Sequence, residues 1–139
     1  ELIMSFRWDS RTNAEGYPGF AYSTSGAPGL GQHGAMTRHE MRNTLIARGP
    51  RFKRGVRLES PSGNVDVAPT VLRLLGVPSG PGMDGRSLSE ALLGGTSVEW
   101  STRHLEAQRR LSSVTYRQKL SVSTAASTDY PDHGTATRS

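Results

Sequence analysis

Asn64-Val-Asp-Val-Ala-Pro-Thr-Val-Leu-Arg-Leu-Leu-Gly76 is the stretch of the chain with the clearest local signals for structure. Asp66 belongs to the residue types that favour helix N-caps, and a proline such as Pro69 is tolerated in a first helical turn. The apolar residues at the spacing i, i+4, i+7 and i+8 are Val67, Val71, Leu74 and Leu75. Gly76 suits the C′ position, and Pro78 cannot continue a helix. The stretch therefore predicts a helix from Asp66 to Gly76 with one apolar face.

A histidine in a glycine-flanked loop precedes this helix. His33 lies in the run Gly31-Gln-His-Gly-Ala-Met-Thr-Arg38. Glycine on either side removes side-chain bulk, so the backbone can come close to a bound ion. A lone histidine is more often a surface or hydrogen-bonded residue than a metal ligand. The sequence around His33, together with the helix that follows it, makes this residue the candidate ligand.

These two segments, in this order, resemble the C-terminal part of the alkaline phosphatase superfamily, in particular its type I phosphodiesterase (nucleotide pyrophosphatase) and sulfatase branches. In that family a late His-Gly supplies a metal ligand, and an Asp-x-Ala-Pro-Thr helix follows it. The resemblance implies a site for two divalent metals, usually zinc, with His33 as a ligand. The ions would polarise the ester oxygen, activate the nucleophile and stabilise the leaving group. It also implies an α/β fold, an incomplete sandwich formed by the C-terminal part of a mixed sheet flanked by helices.

The other parts of the family's active site have no counterpart in the sequence. The nucleophile (Thr or Ser in phosphodiesterases, formylglycine in sulfatases), an early Asp pair and an Asp-His-Gly segment all lie N-terminal to the His-Gly loop in the family. Asp132-His133-Gly134 has the letters of that segment but follows His33, and we interpret it as a turn after the final strand. His39 and His104 are interpreted as non-ligating, His39 as exposed on a helical turn. We assign no catalytic or cofactor-binding residue, and the metal assignment is His33 alone.

The resemblance therefore predicts the C-terminal portion of a metal-dependent phosphodiesterase or phosphatase-type hydrolase. We expect the isolated chain to be catalytically inactive, because one histidine does not bind zinc usefully. Its expected partners are the N-terminal part of the same domain and, in the complete enzyme, a small anionic phosphate or sulfate ester. A sulfatase is the alternative within this class. A non-catalytic remnant or a small basic anion-binding module is the alternative from another class.

Asp66, Asp84 and Arg86 are interpreted as structural, and Arg51 is a departure from the family pattern. Asp66 is assigned to helix capping, although a carboxylate could also serve as a ligand or base. Asp84-Gly-Arg86 resembles the family's turn after the helix, where the glycine allows the turn. Arg51 departs from the family, because many relatives carry an acidic residue between Gly-Pro and Phe.

Composition limits the size of any core and the classes of partner. Only 34% of the 139 residues are apolar, and 16 glycines and 8 prolines indicate many turns. The net charge is +5, and the densest cluster of basic residues consists of Arg48, Arg51, Lys53, Arg54 and Arg57. We interpret this cluster as a solvated loop that could also attract a small anionic ester. Nucleic-acid binding is disfavoured, because no aromatic interleaving or recognition helix accompanies the charge. No apolar run is long enough to span a membrane, and zero cysteines leave the compartment open, an exported or periplasmic location included.

The remaining segments give shorter predictions. In the first half we expect a strand at residues 2–8, an irregular loop near substrate at 9–30, one helical turn from a capping box at Thr37 to Glu40, and a buried strand at 44–47. A second capping box at Ser87 to Glu90 predicts a short helix over residues 88–93. Residues 98–112 form an exposed helix or a loop, 114–122 a strand, and 128–130 its hairpin partner. We assign residues 1–95 to the catalytic domain and 96–139 to a basic polar segment of the same domain.

Overall fold

The computed structural model describes residues 5–22 and 35–139. The chain divides into two compact units that alternate along the sequence. Unit 1 is drawn from residues 1–44, 104–122 and 131–139, and unit 2 from residues 45–103 and 123–130. The expected division at residue 95 stays a prediction.

Unit 1 begins with a small antiparallel hairpin of β1, Trp8–Thr12, and β2, Pro18–Ala21. Asn13 shapes its turn, because the Asn13 Oδ1 accepts hydrogen bonds from the backbone N–H groups of Glu15 and Tyr17. The prediction of an irregular loop at 9–30 is therefore wrong for residues 9–21. The Gly/Pro content concealed the strands, since Pro18 and Gly19 both lie within β2. Residues 2–4 and 23–30 lie outside the described residues.

A short helix follows in unit 1. Helix α1 covers Arg38–Met41, and the Thr37 Oγ1 caps it by accepting from the backbone N–H of His39. The predicted helical turn is confirmed, but the reciprocal half of the capping box is not formed. The Glu40 carboxylate accepts instead from the backbone N–H of Ala35. Residues 44–47 are exposed and form no strand, with Ile46 85% exposed, so the buried strand predicted there is wrong. A short apolar run does not become a strand without a neighbouring strand to pair with.

Unit 2 contains the helix expected from the sequence. A 3-10 turn at Asn64–Asp66 continues into α2, Val67–Leu75, which ends at Gly76 in the left-handed conformation with φ of 72°. The helix is confirmed, but its buried side differs from the predicted one. Pro69 and Thr70 are buried, whereas Val67, Val71 and Leu75, from the predicted apolar face, are exposed. The apolar face of α2 is thus largely uncovered by the described residues.

The second predicted capping box gives a single turn instead of a helix. Ser89–Ala91 form a 3-10 turn, and Leu92 directly after it pairs with Phe52 in an isolated β-bridge. The backbone N–H of Lys53 donates to the Ala91 carbonyl at 2.9 Å, which fixes the basic loop against this turn. Glu90 is buried and accepts hydrogen bonds from an arginine side chain, so it is not available to cap a helix. The predicted helix over 88–93 is therefore wrong.

Three long strands form an antiparallel sheet in the order β3-β4-β5. Their bounds are Trp100–Leu111 for β3, Val114–Ala125 for β4 and Thr128–Arg138 for β5. The late strand and its hairpin partner are confirmed, and both are longer than predicted. The helix or loop expected at 98–112 is wrong, and so is the turn expected at residues 132–134, which lie within β5. Every residue of β3 is exposed, so this strand carries no buried face and no alternation of apolar and polar residues.

Both connections in this sheet are two-residue loops. Ser112 and Ala126 each take the first loop position with positive φ, 54° and 53° respectively. A two-residue loop pairs Ala125 with Thr128 and would place Thr115 opposite residue 138. The backbone groups of Thr115 instead exchange both hydrogen bonds with Ser139, at 2.8 and 3.0 Å. Strand β5 therefore contains one extra residue, a β-bulge, before its end.

Few of the described residues are buried, and many of those are polar. The apolar ones among the described residues are Ala35, Leu88, Leu92, Val122, Ala125 and Tyr130. The two largest side chains that are fully buried are Asp66 and Pro69. The described residues form antiparallel sheets and do not show a mixed sheet flanked by helices, so the alkaline-phosphatase-like sandwich stays a prediction. No helix in the described part of the chain is long and apolar enough to cross a membrane.

Candidate functional site

The predicted metal ligand and the other histidines lie in different places. His33 lies outside the described residues. His39 lies on α1 and is half-buried, not exposed as predicted, while His104 is exposed on β3, where its Nδ1 is 3.0 Å from the Ser121 hydroxyl. His133 lies in the middle of β5. Within residues 5–22 and 35–139, no group of three His, Cys, Asp or Glu side chains could hold a metal ion.

The most ordered polar site of unit 2 is centred on Asp66. One carboxylate oxygen, Oδ2, accepts from the backbone N–H of Gly63 at 2.9 Å. The other, Oδ1, accepts from the backbone N–H of Arg86 at 2.8 Å and from the Tyr130 hydroxyl at 3.1 Å. Asp66 is fully buried, and these three donors satisfy both oxygens. One side chain thus joins the start of the helix to the turn at residue 86 and to strand β5.

Asp66 therefore stabilises the helix start differently from the predicted N-cap. Its own backbone is helical, with φ of −84° and ψ of −14°, so its carboxylate makes no capping hydrogen bond to α2. It takes instead the third position of the 3-10 turn and reaches back to Gly63. A structural role is confirmed, but the simple N-cap is wrong. Both carboxylate oxygens of Asp66 already accept hydrogen bonds from the three donors named above. This geometry therefore does not support a role for Asp66 as a base or ligand.

Arg86 and Glu90 extend this site, and we call the four residues Asp66, Arg86, Glu90 and Tyr130 the buried polar network. The Arg86 guanidinium donates hydrogen bonds to both carboxylate oxygens of Glu90, at 2.7 and 3.0 Å. The Arg86 side chain is only 11% exposed and the Glu90 side chain only 4%. It also donates to the Pro61 carbonyl at 2.9 Å and to the Tyr130 hydroxyl at 3.1 Å. Bidentate Arg–carboxylate pairs fix orientation as well as charge. The network therefore holds several distant segments of unit 2 in one arrangement.

The local electrostatics keep Glu90, Arg86 and Tyr130 in their usual charge states. Burial alone raises the pKa of Glu90, but hydrogen bonds from Arg86 and Ser60 outweigh it, and the net pKa lies below the ordinary value. Burial lowers the pKa of Arg86, yet the Glu90 carboxylate raises it overall. Burial and the nearby Asp66 raise the pKa of Tyr130, so its phenol stays neutral and can donate to Asp66. These residues are arranged to hold the fold and do not leave a group poised for proton transfer.

Gly85 is needed beside this network for a different reason from the one expected. The resemblance assigned it to a turn, but no positive φ requires glycine there. A Cβ at this position would lie 2.0 Å from the Val65 carbonyl oxygen and 2.8 Å from the Asp66 backbone nitrogen. Two backbone segments therefore approach so closely that only glycine fits between them. This contact places the Arg86 N–H within reach of the Asp66 carboxylate.

The rings of Trp8, His39 and His133 form a cluster in unit 1. The Trp8 ring meets His39 and His133 edge to face, with centroids 6.0 and 6.3 Å apart. The Trp8 indole N–H donates to the Gly134 carbonyl at 2.6 Å, and the Gly134 N–H donates to the Met36 carbonyl at 2.8 Å. These bonds attach β1 and the segment before α1 to the outer edge of β5. Packing against Trp8 thus orients both histidine rings.

His133 is the polar group in this cluster with an unsatisfied atom. Its Nδ1 is buried and has no hydrogen-bond partner among the residues that the structure describes. Burial lowers the pKa of His133, and the positive charges of Arg38 and Arg42 lower it further against the opposing effect of Asp132. The neutral ring is therefore favoured. An uncharged imidazole in this position fits a packing role.

The basic cluster forms an ordered loop in unit 2. Arg48, Arg51 and Arg54 are exposed, and Lys53 is held by its Nζ donating to the Gly95 carbonyl at 2.9 Å. Arg57 forms an exposed ion pair with Glu59 at 3.0 Å. The interpretation as a solvated loop agrees with this exposure. Three arginines on a loop fixed at Lys53 also offer positive charge to an anion, but no described cavity accompanies them.

The one cavity described in unit 1 lies on the face of the long sheet, with a volume of about 370 Å³. Its charged lining residues are Glu106, Arg117 and Lys119, and the Lys119 ammonium lies 3.3 Å from the Glu106 carboxylate. Arg117 donates to the Ser139 hydroxyl at 2.9 Å. Lys119 and Arg117 are therefore already engaged within the chain.

Sequence reasoning missed the buried polar network. It assigned Asp66 to capping and gave Glu90 to a capping box, and it did not pair Arg86 with either. One signal was available, because Arg86 and Glu90 stand four residues apart, which is a spacing common for ion pairs. Tyr130 carried no such signal, since it is 64 residues from Asp66 in the sequence.

Comparison of the chain with profiles of known protein families, with curated proteins and with solved structures found no match. No known relative therefore points to metal ligands, and candidate ligands can be judged only from the residues of this chain. The described residues do not supply a set of three ligands, and His33 lies outside them.

Proposed function

We propose that this chain is the C-terminal portion of a metal-dependent hydrolase of the phosphodiesterase or phosphatase type, with His33 as one metal ligand of the complete enzyme. The observation that carries the proposal is the order of two segments, a glycine-flanked histidine followed by the Asp66-Val-Ala-Pro-Thr helix. The substrate would be a small anionic ester. By itself the chain would bind zinc weakly and would not turn over substrate, because an active site needs several ligands held in place together.

The geometry of unit 2 supports this proposal in one respect. The two segments that carry the resemblance after His33, the α2 helix and the Asp84-Gly-Arg86 turn, are joined through the Asp66 carboxylate and the close contact at Gly85. Residues picked out by resemblance thus contact one another, as parts of one inherited structural unit would. The exposed apolar face of α2 also suits a helix that packs against another part of a larger domain.

The deciding measurement is the coding sequence immediately upstream of Glu1. An in-frame extension that carries an early Asp, then Thr, Ser or a sulfatase-type Cys motif, then Asp-His-Gly, would support the proposal and identify the branch. A start codon or a frame break directly before Glu1 would contradict a working enzyme and favour a non-catalytic remnant.

The extended protein would then test His33 itself. We expect His33→Ala to lower the bound zinc from about two ions per molecule to about one and to abolish hydrolysis of an aryl phosphate diester. His39→Ala is the matched control, because His39 packs on Trp8 and should leave both readouts unchanged. Full zinc content and full activity in His33→Ala would refute the ligand assignment. Parallel assays with an aryl monoester and an aryl sulfate would separate the phosphatase and sulfatase alternatives.

A small basic anion-binding module is the second candidate, and the exposed basic loop favours it. In that case the chain should bind an anionic polymer such as heparin in the presence of a chelator, with affinity that falls steeply as salt rises. Replacement of Arg48, Arg51 and Arg54 by glutamine should abolish this binding. Failure of the wild-type chain to bind at low salt would dismiss this candidate.

A further inference from the structure

Strand β3 has an outer edge that the rest of the described chain leaves open. It is an edge strand in the order β3-β4-β5, it is twelve residues long, and every one of its residues is exposed. Apart from its own ladder, the described residues make no backbone hydrogen bond to it. The opposite edge of the sheet differs, because the Gly134 N–H and carbonyl of β5 are both used. A long open edge is a template for pairing with another strand.

The register of the β3–β4 hairpin shows which residues of β3 face outward. The loop is Ser112-Ser113, so Leu111 and Val114 form the hydrogen-bonded pair that closes a two-residue hairpin. Hydrogen-bonded and non-hydrogen-bonded positions alternate from there. The odd-numbered residues of β3 therefore bond to β4, and the even-numbered ones direct their N–H and C=O groups outward. The close pair of Glu106 and Lys119 side chains fits a non-hydrogen-bonded position.

Only some pairings of two β3 edges are compatible with this alternation. In an antiparallel pair, outward-facing residues must meet outward-facing residues, so paired residue numbers must sum to an even value. A register centred on residue 106 places Glu106 opposite itself, and one centred on residue 109 places Arg109 opposite itself. Like charges directly opposite each other destabilise a sheet. A register centred on residue 107 places Leu105 opposite Arg109 and makes no ion pair. One centred on residue 105 places Leu105 opposite itself and leaves Arg109 and Arg110 without a carboxylate opposite.

The register centred on Gln108 pairs Glu106, Arg110, Leu105 and Leu111 favourably, and it places Arg109 opposite Ala107. It places Glu106 of each copy opposite Arg110 of the other, and Leu105 opposite Leu111. The two-fold axis makes each of these pairs occur twice. Both leucines are about half exposed in the described structure, at 51% and 50%, so the pairing would remove apolar surface from water. Arg110 makes no ion pair among the described residues, which leaves it available.

We propose that two copies of this chain form a homodimer through β3, antiparallel and centred on Gln108, so that their sheets join into one six-stranded sheet. About six intermolecular backbone hydrogen bonds, from residues 106, 108 and 110 of each copy, hold the pair. The contact is small by the standards of permanent dimers, so the dimer is weak and concentration-dependent. The inference does not depend on the hydrolase proposal.

Sedimentation velocity of the full chain over a micromolar to millimolar range tests this dimer. We expect a reversible monomer–dimer equilibrium. Arg110→Glu should weaken it about tenfold or more, because it places two carboxylates opposite each other at two positions. The charge-swapped Glu106→Arg/Arg110→Glu variant should restore most of the lost affinity. Arg117→Glu on β4 is the matched control for a change of net charge, and it should weaken the dimer less.

A backbone variant provides a second, independent readout. Gln108→Pro removes an outward-facing N–H at the centre of the contact and leaves the ladder to β4 intact, so it should abolish the dimer while the circular dichroism of the sheet is preserved. A wild-type chain that stays monomeric over the whole range would overturn the proposal. A dimer that survives Gln108→Pro, or that does not respond to the charge swap, would overturn it as well.

Discussion

Replacement of Arg86 by methionine should strongly destabilise unit 2. The variant keeps a side chain of similar length but leaves the Glu90 carboxylate, only 4% exposed, with the Ser60 hydroxyl as its remaining described side-chain donor. Breaking a buried ion pair from one side costs about 3–5 kcal/mol. The Pro61 carbonyl and the Tyr130 hydroxyl also lose a donor each. We therefore expect the free energy of unfolding to fall by about 4 kcal/mol, which is a large part of the stability of a small domain.

The double variant Arg86→Met/Glu90→Leu separates charge from packing. It removes both charges, so the penalty for a lone buried carboxylate disappears. The free energy of unfolding that the double variant loses should therefore be at least about 2 kcal/mol less than the sum of the losses in the two single variants. Arg57→Met is the control, because the Arg57–Glu59 pair has side chains 89% and 74% exposed. That change should cost less than about 1 kcal/mol.

Urea unfolding can be followed separately in unit 2. Trp8 lies in unit 1 and Trp100 in unit 2, so a Trp8→Phe background leaves Trp100 fluorescence to report on unit 2. Circular dichroism in the same samples would show whether the variants still fold in the absence of urea. A loss below about 1 kcal/mol in Arg86→Met, or a double variant that costs the full sum of the single ones, would refute the assignment of a tightly coupled buried pair.

Three further changes have expected outcomes. Ala126→Gly should raise the free energy of unfolding by about 1 kcal/mol in urea titrations, because Ala126 has φ of 53° and glycine adopts that conformation without strain, whereas Ser127→Gly should not stabilise. Gly85→Ala should prevent the fold of unit 2 or lower the thermal midpoint sharply, because its Cβ would lie 2.0 Å from a carbonyl oxygen; an unchanged midpoint would contradict the close contact. The depressed pKa of His133 means that its contribution to stability is present above the ordinary pKa of 6.5 and is lost as pH falls below that value. Thermal midpoints between about pH 8 and pH 5 should therefore fall more for the wild type than for His133→Gln, and equal slopes would contradict this.

The parts of the fold that could be predicted were those with local signals. Helix α2 was predictable because Gly76 ends it and Pro78 cannot continue it, and β4 because apolar residues alternate along it. Strand β3 was not, since its stability comes from pairing with β4 and every side chain on it is exposed. The β1–β2 hairpin was missed because Pro18 and Gly19, usually signs of a loop, lie within β2.

The candidate site was predictable only where the relevant residues were neighbours in sequence. The Arg86–Glu90 spacing pointed to an ion pair, but its burial depends on Pro61 and Tyr130, which come from other segments. The face of α2 shows the same limit. Periodicity identified an apolar stripe on the helix, whereas the described contacts of α2 bury Pro69 and Thr70. Which side of an amphipathic helix is covered depends on the rest of the fold and not on the helix alone.

The buried polar network has a consequence for the order of events during synthesis. Tyr130 follows Arg86 by 44 residues and Asp66 by 64. While the ribosome is still producing the long hairpin, the nascent chain carries Asp66, Arg86 and Glu90 without the hydroxyl that later joins them. The α2 helix and its turn can form early, but unit 2 closes only when β5 arrives beside them. A pause in translation before Tyr130 would therefore prolong the interval in which this half-formed unit is exposed to proteases and chaperones.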